Sequence, residues 1–250
     1  MGTTIDCPEI GTRYGDVRER IVAAARRAGR DPETIRLVAV AKTFDLAAVR
    51  AAVAAGARDI GENYVREAET KIEALAAEMP GRGATPLRWH FIGHLQRNKA
   101  SRAARLFELI HSVDNLRLAE HLDRAAALCG KTLGVLIEVN VSNERTKGGI
   151  TESSALHLLT ALAPLEHLRV EGMMTVPPPV LHPEASRPYF RALATLRNDL
   201  ASRGFDLPHL SMGMTDDYEV AIEEGATIVR VGRAIFGQRA ACAKRTGKEP

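Results

Sequence analysis

Apolar positions along the chain alternate between two rhythms. Short dense runs rich in β-branched residues come first in each unit; Ile35, Leu37, Val38 and Val40 within TIRLVAVAKTF are the clearest case. Stretches with apolar residues three or four apart follow, such as Val65, Ala68, Ile72 and Leu75. The runs predict strands ending near Ala41, Gly61, Ile92, Ser112, Val141, Met174, Ser211 and Val231, each followed by a helical segment. Caps punctuate the helices: Asp45 and Asn115 open two of them, and Gly29, Gly56, Gly130 and Gly204 close others. Ahead of the first strand, Tyr14, Val17, Ile21, Ala24, Ala25 and Ala28 predict one additional helix.

Strand and helix in strict alternation imply a parallel sheet. Eight units in 250 residues suit closure better than an open sheet. No GxGxxG follows the first strand, which removes the best sign of a dinucleotide fold. The expected class is therefore α/β, a single (β/α)8 TIM barrel with an extra N-terminal helix. Residues 1–12 read as a flexible arm, 13–240 as the barrel and 241–250 as a disordered tail.

Composition narrows the function. Aromatics are only 4% of the chain, and the net charge of +3 falls short of the imbalance of a dedicated nucleic-acid binder. The basic run Arg97, Lys99, Arg102 and Arg105 reads as a solvated helix face. Cys7, Cys129 and Cys242 are odd in number and widely spaced, without disulfide or zinc spacing, which suits a reducing cytoplasmic setting. His111, His121, His157, His167, His182 and His209 form no HxxxH or HExxH metal spacing, and no signal peptide or bilayer-length apolar run is present. Neither metal, nucleic acid nor membrane is expected.

Barrel chemistry gathers where strands end. Lys42 stands at the tip of the first strand; such a lysine either snorkels or pairs, or becomes an amine suited to Schiff bases. Glu62 and Asn63 follow strand two, His90 lies within strand three, and Thr175 follows strand six. Ser211-Met212-Gly213-Met214-Thr215 runs into a helix start, and Gly232 precedes another. Both loops suit a phosphate, while an ordinary tight turn with Thr215 as N-cap is the alternative. Arg230 alternates with Val229 and Val231. Pointing inward, it would pair with Glu138, Glu171 or another carboxylate, or donate to a ring nitrogen.

Taken together, VAVAKTF, DIGENYVREA, WHFIGHLQRNK, HSVDN, EVNVSNERTKGGI, GMMTVPP, LSMGMTDDYEVAIEEGAT and VRVGRAIFG resemble the pyridoxal phosphate homeostasis protein family. They span about residues 36 to 237 in order. The resemblance implies a barrel like the N-terminal domain of alanine racemase. It also implies pyridoxal 5′-phosphate (PLP) held as an aldimine on Lys42. Asn63 should line the pocket with His90 as a neighbour. Ser211 and the Gly232 backbone should hold the phosphate with Thr215, Met214 should lie near the cofactor, and Arg230 should face the pyridine nitrogen. Arg233 departs from the pattern: many relatives resemble a Thr or Ser there, leaving its backbone N–H or its guanidinium for the phosphate.

The resemblance implies a non-catalytic PLP carrier in vitamin B6 homeostasis with apo-enzymes as acceptors, and a barrel complete by itself makes a monomer the expectation. A second domain that would supply an opposing acid/base group is not expected. The alternative is a PLP-dependent amino-acid racemase, with Tyr64 or His90 as the second proton carrier. A class I aldolase without PLP is a third reading. Lys147, in the loop after strand five, is a further amine near the same mouth, either a transient PLP acceptor or a solvated loop lysine.

Overall fold

The computed structural model describes residues 7–78, 86–142, 144 and 147–238. Eight parallel strands close on themselves in chain order: β1 Arg36–Val40, β2 Asp59–Glu62, β3 Arg88–Phe91, β4 Leu109–Val113, β5 Leu133–Glu138, β6 Leu168–Met174, β7 His209–Ser211 and β8 Ile228–Val231. The helices are α1 Cys7–Arg27, α2 Leu46–Ala54, α3 Val65–Glu78, α4 Ala100–Leu106, α5 Leu116–Leu128, α6 Ala155–Leu162, α7 Arg187–Ser202, α8 Tyr218–Glu223 and α9 Arg233–Phe236. The eight-unit barrel expected from the periodicity is the fold. The caps are where the sequence places them: the Asp45 carboxylate accepts from the N–H of Ala48, and the Asn115 side chain accepts from that of Leu118.

Two boundaries differ. Helix α1 begins at Cys7, so residues 7–12, expected in a loose arm, are helical; Ile10 is fully buried and anchors that turn. Residues 1–6 and 241–250, the rest of the expected arm and tail, lie outside the described residues. Strand β5 stops at Glu138 rather than near Val141. Beyond it Val139 bridges Ile150, and the N–H of Asn140 donates to the carbonyl of Ile150, so the returning loop takes over the backbone pairing.

Period-two alternation divides each strand's side chains between two compartments. Outward residues join the main core under the helices. Val38, Leu109, Leu136, Met174 and Ile228 form a separate small cluster. His111 shares the parity of Leu109 on β4 and Arg230 that of Ile228 on β8, and His90 and Ser211 hydrogen-bond to His111 from β3 and β7. Each is almost completely buried, so the barrel interior is partly polar. Closure is made by β8 against β1, with Arg230 beside Val38 and Val231 beside Ala39.

Candidate functional site at the C-terminal ends of the strands

Lys42 follows β1 by two residues and is half-buried. Its neighbours follow from the register. On the β8 side, the Gly232 position lies against Val40, whose Cβ would be 3.5 Å from a Cβ built there. On the β2 side, the N–H of Ala41 donates to the carbonyl of Gly61. Lys42 therefore sits between the start of α9 and the Glu62-Asn63 segment.

A second lysine, missed at the sequence level, holds this turn from α3. Lys71 is 6% exposed, and its Nζ donates to the carbonyl of Ala41 at 2.9 Å and to Glu62 Oε1 and Glu67 Oε1 at 2.7 Å each. Glu67 Oε1 also accepts from the N–H of Thr43 at 2.6 Å. Thr43 has φ 67°, the left-handed region that a β-branched residue rarely adopts. The Lys71–Glu67 pair is thus what offsets the strained step just after Lys42. Burial pushes the Glu62 carboxyl up to about 7 against the pull of Lys71, and its Oε2 has no partner. The sequence cue was the Glu67–Lys71 spacing on a helix, which reads equally well as an exposed ion pair.

Asn63 is half-buried, and its Oδ1 is sealed from solvent without a hydrogen-bond partner. Such an orphan in a folded protein points to a ligand donor or a bound water. The backbone just after β3 approaches it closely: a Cβ at Gly93 would come within 2.6 Å of the Asn63 carbonyl oxygen.

Opposite, the loop after β7 is a tight turn with Gly213 at φ 88°. A Cβ there would meet Ala221 Cβ at 2.6 Å and Tyr218 Cα at 2.8 Å. The N–H of Met214 is tied to Asp217 Oδ1, whereas those of Thr215 and Asp216 have no acceptor among the described residues. Met214 is 36% exposed and Thr215 half-buried. At Gly232 a Cβ would make only ordinary contact with Val40, so protein packing does not demand glycine; close approach of a ligand would. The N–H groups of Arg233 and Ala234, in the first turn of α9, have no intrahelical acceptor. The Arg233 guanidinium is exposed and ion-paired with Asp216, so it staples the two loops together. Phe44 stacks on Phe236 at 5.1 Å, fixing the β1 loop against α9.

Beneath these loops lie three of the expected residues. Ser211 is fully buried, and its Oγ bonds with His111 Nδ1 at 2.9 Å and accepts from Arg230 at 2.6 Å. Thr215, half-buried, is the second hydroxyl of the same loop. His90 is 1% exposed with both ring nitrogens engaged, to Asp59 Oδ1 at 2.9 Å and His111 Nε2 at 3.0 Å. Arg230, 4% exposed, pairs with neither Glu138 nor Glu171. It donates to the carbonyls of Ser211 and Thr175 as well as to Ser211 Oγ. A guanidinium carries five N–H groups, so two remain without an acceptor among the described residues. Burial lowers its pKa to about 10, which leaves it charged at neutral pH.

Glu138, at the end of β5, is raised by burial and by the Asp114 charge, with Arg230 and His94 pulling the other way. Lys147 follows in the same return loop, ion-paired with Glu144 at 3.3 Å. Charge, flexible-chain amine, orphaned amide oxygen and unpaired backbone N–H groups thus ring one opening, with exposed Tyr64, Val176 and Met214 on its rim.

Residues 14–240 match the family described as alanine racemase, N-terminal domain. A pyridoxal phosphate homeostasis protein of Pseudomonas aeruginosa is 44% identical over 92% of this chain and 96% of its own length. One of Aquifex aeolicus is 43% identical over 91% of this chain and 97% of its own length. The solved structure of PipY from Synechococcus elongatus with PLP bound superposes with a TM-score of 0.78 at 34% identity, covering 91% of this chain and 100% of that one. On identity, coverage and fold alike, this chain belongs to the pyridoxal phosphate homeostasis protein family, built on the alanine racemase N-terminal domain.

Proposed function

We propose that this protein holds PLP at the mouth of its barrel and serves intracellular PLP homeostasis as a carrier without turnover of its own. The observation that carries this reading is the pair of unused N–H donors on Arg230, a nearly buried cation beneath the opening that Lys42 overlooks. A permanent cation facing a pyridine nitrogen disfavours ring protonation, so the group would be held but made a weak electron sink.

The remaining parts fit the same ligand. Lys42 Nζ would add to the aldehyde carbon and expel water, forming a Schiff base. The Thr215 hydroxyl and the free N–H groups of Thr215, Asp216, Arg233 and Ala234 suit three phosphate oxygens. The orphaned Asn63 Oδ1 offers an acceptor on the opposite wall. A racemase would need a proton carrier opposite Lys42, and His90 is closed off inside the barrel with both nitrogens occupied.

The test is an absorption spectrum of protein purified with PLP, followed by borohydride reduction and peptide mapping. A visible band that is lost in Lys42→Ala, with the reduced adduct on Lys42, is expected. An adduct on another lysine would overturn the assignment. Transfer of PLP to an apo-enzyme without consumption of any amino acid supports the carrier role. Sustained amino-acid turnover abolished by Lys42→Ala would establish an enzyme instead.

A further inference from the structure

Five side chains cross the barrel interior in single file. Arg230 Nη1 lies 2.6 Å from Ser211 Oγ, Ser211 Oγ 2.9 Å from His111 Nδ1, His111 Nε2 3.0 Å from His90 Nδ1, and His90 Nε2 2.9 Å from Asp59 Oδ1. The two ends dictate every proton between them. A guanidinium only donates and a carboxylate only accepts. His90 therefore carries its hydrogen on Nε2 toward Asp59, and its Nδ1 accepts. His111 must then carry its hydrogen on Nε2, and its Nδ1 accepts from the Ser211 hydroxyl. That hydroxyl in turn accepts from Arg230.

We propose that this chain is a one-way hydrogen-bond relay, in which His90 and His111 are positioning residues that orient Arg230 toward the ring of the bound ligand. The proposal rests on the PLP reading for its ligand, but the relay itself belongs to the ligand-free protein. Asp59 anchors it at the opposite end of the barrel, where Arg88 binds the carboxylate through two bonds of 2.7 Å. Asp59, Arg36, Arg88 and His209 line a cavity of about 620 Å³ on that floor. The charge at one end of the barrel is thus wired to the cation at the other.

A proton added to either imidazole breaks the sequence. Protonated His90 would donate from Nδ1, force His111 into the other tautomer, and leave the Ser211 hydroxyl without an acceptor. Burial opposes that proton at both rings, and the positive charges of Arg36, Arg88 and Arg230 add to the effect. Asp59 is the one facing group that favours it, at His90.

Two measurements test the relay. In ligand-free protein, nitrogen-15 imidazole spectra should show His90 and His111 both neutral with the hydrogen on Nε2, unchanged between about pH 8 and about pH 5.5. A Nδ1–H tautomer at either ring, or titration near the ordinary histidine value, overturns it. In PLP-loaded protein, His111→Phe should displace the absorbance maximum and its pH dependence and weaken PLP binding about tenfold, roughly the loss of one charge-assisted hydrogen bond. His111→Gln, whose amide can donate to His90 and accept from Ser211, should restore both. Asp59→Ala severs the outer end while leaving His111, Ser211 and Arg230 in place and should move the spectrum the same way. Loss of thermal stability with an unmoved spectrum in these variants would reduce the histidines to packing. Failure of the wild type to bind PLP would sink the proposed function and leave the imidazole spectra to judge the relay.

Discussion

At the scale of single residues, the site depends on positions where chemistry or conformation leaves little choice. Gly213 combines φ 88° with neighbours that a Cβ would strike at 2.6 Å and 2.8 Å. Gly213→Ala is expected to cost about 2 kcal/mol or more in chemical denaturation and to weaken PLP retention, because the turn that presents Thr215 must shift. A variant with wild-type stability and retention would show that the loop tolerates the change. Asp59 gives a pH signature. Burial alone would raise its carboxyl, but hydrogen bonds from Arg88 and His90 outweigh that and hold it at about 2 against the ordinary 3.8. The unfolded chain therefore takes up this proton first as pH falls. The stabilisation is complete above the unfolded value and vanishes as pH drops through the folded one, a difference of about 2 kcal/mol. The stability gap between wild type and Asp59→Asn should narrow by that amount between about pH 5 and about pH 2. A constant gap would mean the carboxylate is not specially held. His90 and His111 act in a higher window: their depressed values make stability fall as pH drops below the ordinary histidine range.

At the scale of elements, the barrel positions Lys42 by tying its turn to neighbours on both sides. Helix α3 reaches the turn through Lys71, which holds the Ala41 carbonyl directly and the Thr43 N–H by way of Glu67. Lys71→Met would strand fully buried Glu62 without its cation and release the strained Thr43. The expected loss is about 3–5 kcal/mol in urea denaturation, with slower Schiff-base formation at Lys42; adding Glu62→Gln should recover part of the stability. No recovery in the double variant would place the cost elsewhere. Helix α9 holds the other side through the Phe44–Phe236 stack. The extra helix α1 packs on α2, α8 and α9, burying Ile10, Val17, Ile21, Ala24 and Ala25, and Arg20 and Arg27 reach Glu219 and Glu223 on α8. Those ion pairs are largely exposed, so the apolar stripe rather than the charges attaches α1. The periodicity of α1 was plain in the sequence, whereas its first turn was not: Ile10 alone continues the stripe there, and one apolar residue does not establish a period.

At the scale of the whole molecule, closure leaves none of the described strands with a free edge, which removes the commonest route to self-association through them. Large exposed apolar residues such as Leu128, on α5, and Leu181, in the loop after β6, stand apart in the fold. Sedimentation should return a single species near 27.1 kDa; a stable species of twice that mass would overturn the monomeric reading.

Local pattern by itself determined the eight strand–helix units, their closure in order, the placement of Lys42 at a strand tip, and the two loops suited to a phosphate. Those features repeat every two or 3.6 residues or lie within a few positions, so a linear reading reaches them. Only the tertiary structure decided which way the strand-end side chains turn and whom they meet. His90 and Asp59 are 31 positions apart, and His111 and Ser211 are 100 apart. Their meeting depends on the stagger of a closed barrel, which no local period encodes. The same closure joined Ser211 and His90 through His111, a contact their positions in the sequence did not suggest. It also buried Lys71, whose helical spacing alone would have left it in water.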